Sequence, residues 1–439
     1  MSEIIRLAEL GNPLLDPDDA EKLPRTIAIG NGAQLPINGR IDRAILAIST
    51  LTREQSPAIT DRYNLKDWYS IVRQEFGLPI IKLDLGRSVT ENAVMLRKAI
   101  NEAIAEITVA DPPMLEMFFP NTWPAGASDR FEFGPATVLC RELWLEEQFT
   151  NNRVSKTTKR RLEKLWRNES CRPRKPSLDA HSEQSIFGAV GEYQHLICIK
   201  LQGFSRGFAE ARAARIARLL LTTISLTWET PSRALKGLHI AYDDLPQSSR
   251  LLWLAGENHF SSSSSRLAHP FGPNVVGTDW ADVSSRFREA FEQASLVAEF
   301  IASVAPGSER AEVLKKLDVA LRWFEEGCRA RDHLMATTHF AASLDTLAGG
   351  GRKNGILALL KARLGWDREM TIHADGHKLS TVVGRIYEDG RSRFTHGNTE
   401  MHYGDWLSSR AFAEFISRQA LLSCLFEANQ NPELIDFRT

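Results

Sequence analysis

Along the C-terminal third of the chain, apolar residues recur at steps of three and four. That period predicts helices over 283–304, 309–330, about 331–348, 353–364 and 376–389. A last helix is expected from an Asp405 cap through Trp406, Phe412, Phe415, Ile416, Leu422 and Phe426. The clearest stripe is Val313, Leu314, Leu317, Leu321, Phe324 and Cys328, one apolar face of a helix that must be buried against others. Pro306-Gly307-Ser308 and Gly349-Gly350-Gly351 punctuate the series. The expectation is an antiparallel helical bundle over 281–439.

The pattern before residue 281 is less regular. Residues 1–150 read as a mixed α/β region of unknown function, with Leu78–Leu83 strand-like and the proline cluster at 112, 113, 120 and 124 read as loop. One helix start is explicit: Ser88-Val-Thr-Glu91 is a capping box, followed by apolar Val94, Leu96, Ile100, Ile104 and Ile107. Residues 151–280 read as a basic linker followed by strands and helices, a possible regulatory or sensing module. Gln194–Leu201, Leu235–Tyr242 and Arg250–Leu254 are strand-like, Phe208–Leu221 is helical, and Ser261–Ser265 reads as a flexible loop. The fold class expected is α+β, a mixed N-terminal region followed by an all-α bundle.

Charge changes this picture only locally. Lys plus Arg total 54 and Asp plus Glu 55 over 439 residues, which argues against a uniformly basic surface. Yet 153–175 holds ten Arg or Lys against two Glu. Within it, Lys156, Lys159, Arg160, Arg161, Lys164 and Arg167 are candidate contacts to a phosphate backbone, and a solvated helix face is the plainer alternative. No run of about 18 apolar residues and no secretory leader is seen, so a cytoplasmic protein without a membrane partner is expected. Five widely spaced cysteines, with no CxxC, indicate neither a disulfide framework nor a thiolate metal site.

Most familiar catalytic signatures are missing. His373 and His377, His333 and His339, and His396 and His402 form no metal-ligand set with acids or thiols at suitable spacing. The glycine run lacks a P-loop ending, and no GxSxG elbow occurs. What remains is Tyr387-Glu-Asp-Gly-Arg391-Ser392-Arg393-Phe394-Thr395-His396-Gly397-Asn398, where four residues separate Arg391 from His396. The spacing alone discriminates little, since Arg368/His373, Arg233/His239 and Arg174/His181 also satisfy an arginine, four to six residues and a histidine. Only Arg391/His396 follows an amphipathic helix ending Arg385-Ile386-Tyr387, has glycine directly after the histidine, and precedes a long apolar helix.

With the upstream stretch from Ala320 to Leu347, this segment resembles the Apea-like branch of the HEPN superfamily over about residues 309–428. The active members of that superfamily are ribonucleases. The resemblance implies a metal-independent endoribonuclease with no cofactor, with Arg391 and His396 catalytic and two copies facing each other in a homodimer. It also implies a prokaryotic antiviral or toxin-like role, abortive infection among them, under a phage-derived or small-molecule trigger. Ser392 departs from the polar amide that many active members carry after the arginine. Ser392, Asn398 and Arg393 are supporting candidates, and Glu325, Glu326 and Asp332 are candidates to pair with Arg391.

The residue types suit the chemistry. RNA supplies its own 2′-OH nucleophile, so cleavage needs proton transfer and charge stabilisation. Histidine, with an ordinary pKa of about 6.5, exchanges protons near neutrality. Arginine is a permanent clamp for phosphate oxygens as negative charge develops. The alternative is an inactive HEPN protein serving as an RNA- or nucleotide-binding or dimerisation module. In a third reading the basic stretch at 153–175 is the nucleic-acid contact and the bundle is structural.

Overall fold

The structure is a computed structural model, and it describes residues 4, 25–84, 86–110, 112–124, 126–243, 248–254, 260–266, 280–304, 310–372, 376–393 and 404–439. The fold is α+β, with helices predominating over small sheets. Residues 1–115 with 201–212 form one compact unit, and 116–200 with 213–439 a second; the sequence divisions at 150 and 280 both fall inside the second. Among the described residues no helix is long and apolar enough to cross a membrane. All five cysteines are unpaired.

The first unit opens with an antiparallel hairpin, β1 (Arg25–Ala28) and β2 (Gln34–Ile37). Helices α1 (Gly39–Glu54), α2 (Pro57–Thr60), α3 (Leu65–Glu75), α4 (Gly77–Ile81) and α5 (Val89–Val109) follow. The capping box is present: the Glu91 amide donates to Ser88 Oγ at 3.2 Å and the Ser88 amide to Glu91 Oε2 at 3.0 Å. Leu78–Leu83, read as a strand, lies largely in α4. A short apolar run carries no period that separates strand from buried helix, and Pro79 sits in the first turn, where its missing N–H costs nothing. Trp68, fully buried in the core with Ile27, Ile45 and Val72, donates its indole N–H to Thr52 Oγ1 at 3.0 Å.

In the second unit, β3 (Leu115–Asn121), β4 (Arg130–Phe133) and β5 (Ala136–Cys140) precede helices α6 (Arg141–Thr150), α7 (Lys156–Trp166) and α8 (Leu178–Val190). Strand β6 (His195–Leu201) completes a four-stranded sheet of order β3-β6-β5-β4. The proline cluster read as loop therefore contains a strand. Pro120 is tolerated because β3 lies at the sheet edge, where a missing ladder donor is harmless. Helices α9 (Arg206–Ser225) and α10 (Pro231–Gly237) follow, so Leu235–Tyr242 is not the strand it resembles; only Ile240 makes a bridge, to Asn121. The serine run, expected as a loop, pairs as β8 (Phe260–Arg266) with β7 (Ser248–Leu254).

The helical part comprises α11 (Trp280–Arg286), α12 (Arg288–Ala302), α13 (Ala311–Arg329), α14 (His333–Leu347), α15 (Arg352–Leu364), α16 (Leu379–Gly384) and α17 (Leu407–Gln430). Between the last two, Arg385–Arg393 forms a π-helix that continues α16 without a break. The whole α13 stripe from Val313 to Cys328 is buried. Gly327 lets α13 and α14 close up, since a Cβ there would stand 2.8 Å from the Phe340 ring. Asp332 caps α14 by accepting the Met335 amide at 2.8 Å. The glycine run ends it with three left-handed residues, φ +62°, +85° and +90°.

Candidate functional site

Arg391 stands near the end of the π-helix. A π-turn is a rare widening of the helical ladder that recurs at functional sites, because it turns side chains out of α-helical register. Two features of α14 pin this turn in place. The Thr338 hydroxyl donates to the Gly390 carbonyl at 2.7 Å, and Gly390 packs so closely that a Cβ would lie 2.9 Å from Thr337 Cγ2 and 3.4 Å from the Trp406 ring.

The Arg391 side chain is held from two sides. Its Nη1 donates to Asp345 Oδ2 at 2.5 Å and to the Tyr387 hydroxyl oxygen at 3.0 Å, and the guanidinium carbon stands 5.3 Å from the Tyr387 ring centroid. Tyr387 is buried and Asp345 nearly so, while 33% of the Arg391 side chain stays exposed. The second carboxylate oxygen, Asp345 Oδ1, is buried with no hydrogen-bond partner among the described residues. The result is a cation fixed in direction, open to solvent and backed by a partly satisfied acid.

Asp345 is not among the acids expected to pair with Arg391. Glu325 is buried, accepts from Arg329 Nε at 3.0 Å and pairs with the Arg215 guanidinium at 3.6 Å, so it is committed to a different ion cluster. Asp332 serves as the α14 cap, and Glu326 is not the partner of Arg391 either. The sequence did carry a signal for Asp345. It sits in the last turn of a largely apolar helix, where the helix dipole disfavours a negative charge and a nearby cation relieves it, although nothing local points to Arg391 as that cation. Thr338, two turns earlier on the same face, binds the residue preceding Arg391.

The other site candidates distribute as follows. Ser392 is half-buried in the last π-turn, and Arg393 closes that element. His396 and Asn398 lie outside the described residues, in the segment joining the π-helix to α17. The basic stretch splits in two. Lys156, Arg160 and Lys164, spaced by four along α7, are exposed on one face. The rest are engaged: Lys159 pairs with Glu146 and stands 4.9 Å over the Phe149 ring, Arg161 pairs with Glu183 at 2.8 Å, and Arg167 with Glu169 at 3.4 Å. Burial works against the charge on Glu183, but hydrogen bonds from Arg161 and Arg174 hold its pKa below the usual carboxylate value.

No group of three or more His, Cys, Asp or Glu placed to hold a metal ion occurs among the described residues. Comparison with protein-family models, with curated proteins and with solved structures gives no match to this chain.

Proposed function

We propose that the protein is a metal-independent endoribonuclease of HEPN type, acting in the cytoplasm as a homodimer, with Arg391 and His396 as its catalytic pair. The observation that carries this reading is Arg391 itself, one-third exposed yet aimed by Asp345 and Tyr387 from the end of a helical segment. A guanidinium fixed before substrate arrives needs no reorganisation to meet the charge that builds on the phosphate oxygens. His396, five positions on, takes or delivers the proton that moves between the 2′-OH and the leaving 5′-oxygen. The 2′-oxygen forms its bond to phosphorus as the bond to the 5′-oxygen breaks, leaving a 2′,3′-cyclic phosphate and a 5′-OH. The purified protein is expected to cut single-stranded RNA equally well with and without EDTA. Cleavage that requires a divalent ion contradicts the proposal.

One observation favours a second reading. The Arg391–Asp345 pair offsets much of the arginine's charge, as suits a structural or RNA-holding bundle without chemistry. That reading predicts RNA retention or dimerisation without cleavage, unaffected by replacing His396.

A further inference from the structure

Helix α10 has seven residues, and a helix this short does not persist in water on its own. Its cap residue, Thr230, makes no side-chain hydrogen bond to it. Glu414, buried within α17, takes that role from outside: the Ser232 amide donates to Glu414 Oε1 at 2.7 Å and the Ser232 hydroxyl to Oε2 at 2.9 Å. The opposite end is met by Arg329, in the last turn of α13, whose Nη1 and Nη2 donate to the carbonyls of Leu235 and Leu238, both at 3.2 Å. A carboxylate at the start and a guanidinium at the end both complement the helix dipole, and each of these bonds is charge-assisted.

The chain on either side of α10 is tied to different parts of the unit. Before it, the Leu226 carbonyl accepts from Arg418 Nε at 2.9 Å, one turn beyond Glu414 on α17. After it, residues 239–241 form a strap along the end of the edge strand β3. The His239 amide donates to Thr122 Oγ1 at 2.8 Å, the Thr122 amide to the His239 carbonyl at 3.0 Å, and the Ala241 amide to the Pro120 carbonyl at 2.7 Å. Leu238 and Ile240 are fully buried. The helix α14, which carries Asp345 and Thr338, packs on both α13 and α17, so the two gripping residues stand one helix away from Arg391.

We propose that α10 is a releasable clasp that couples the edge of the four-stranded sheet to the helical part. It stays helical, and holds 239–241 on β3, only while α13 and α17 keep the spacing that lets Arg329 and Glu414 grip both ends. A shift of either helix removes one counter-charge, the short helix melts and the strap leaves the sheet. Lifting the strap from β3 releases α10 in the reverse direction, because coupling between two sites is reciprocal. The transition is all-or-none: a buried carboxylate without its donors is strongly unfavourable, so a half-gripped α10 is the least stable arrangement. The inference does not rest on nuclease activity; under that reading it places control of the Arg391 site at the sheet edge.

Amide hydrogen exchange on the full chain tests it, with the native protein compared to Glu414→Gln, Ser232→Ala and Thr122→Val. Glu414→Gln keeps the shape and removes the charge at the start of α10. Protection over 232–241 and at the Thr122 amide should then fall together by at least about tenfold, while protection in α15 stays as in the native protein. Ser232→Ala deletes one of the two bonds and should produce the same pattern at smaller size, which keeps the test open if Glu414→Gln does not fold. Thr122→Val withdraws the acceptor of the His239 amide at the sheet end and should speed exchange in α10 as well as in the strap. Acceleration confined to the substituted end in these variants, or spread equally through α15, overturns the proposal.

Discussion

Arg391 draws its meaning from two neighbours that share no sequence proximity with each other. Tyr387 lies one turn away, but Asp345 lies 46 positions upstream and is brought in by the packing of α14 on the π-helix. Asp345→Asn keeps the shape and removes the charge that aims the guanidinium. If the nuclease reading holds, kcat should fall about 10- to 100-fold with KM little changed, as for other residues that orient a catalytic group. A KM change alone would argue that Asp345 serves binding instead. A different residue governs acid stability. His239 is buried, with Nε2 3.3 Å from the Tyr193 hydroxyl and Nδ1 3.5 Å from Thr122 Oγ1. Burial, aided by Arg329 and opposed by Asp243, pushes its pKa down from 6.5 to about 4. The unfolded chain then binds the proton first as pH falls, so the stability that neutral His239 contributes is complete above 6.5 and is lost progressively down to about 4. The loss amounts to roughly 3 kcal/mol at most. Urea titrations at pH 7 and 4.5 should show a larger drop for the native protein than for His239→Gln, and equal drops would remove His239 from the account.

Elements with a long, unbroken period were legible from sequence, because a buried stripe of Val313 to Cys328 admits only one helix face. Short ones were not. Leu78–Leu83 had too few residues to show its period, the serines of β8 take strand form through pairing with β7, and Pro120 is permitted only by an edge position that no local pattern reveals. The π-helix was likewise hidden: Arg385–Arg393 reads as the tail of an ordinary helix, and the widened turn packs closely against Thr337 and Thr338. That fit is testable. Gly390→Ala forces a methyl group into Thr337 and should cost about 1–3 kcal/mol by overpacking, read as a lowered Tm, and, if the nuclease reading holds, should lower RNA cleavage although Arg391 itself is intact. Full activity and an unchanged Tm would show that the close approach does not position the arginine.

For the whole molecule, a near-neutral total conceals how the charges are used. Many basic side chains are bound to acids, as in the Glu183 cluster with Arg161 and Arg174, and this pairing was invisible in a count of ten cations. What the stretch leaves available on α7 is the exposed row Lys156, Arg160 and Lys164. If that row tracks a strand, reversing all three charges should flatten the salt dependence of RNA binding by about two in log–log slope, at roughly 0.7 per phosphate contact. Arg391→Ala should change the slope by less than about one. An unchanged slope in the triple variant would assign the row to a solvated face. The C-terminal helices were recognisable from the spacing of their apolar residues, whereas the meeting of Arg391 with Asp345 depended on long-range packing that a linear pattern does not encode.

The most direct test of the central claim is single-turnover cleavage of an end-labelled RNA in EDTA, with the product ends identified, for the native protein, Arg391→Ala and His396→Ala. The native protein should leave 2′,3′-cyclic phosphate and 5′-OH ends, and each variant should lose at least about 100-fold in rate, the size expected of a general acid–base group or a charge-stabilising donor. Cleavage that survives His396→Ala, or that leaves a 5′-phosphate, would contradict it.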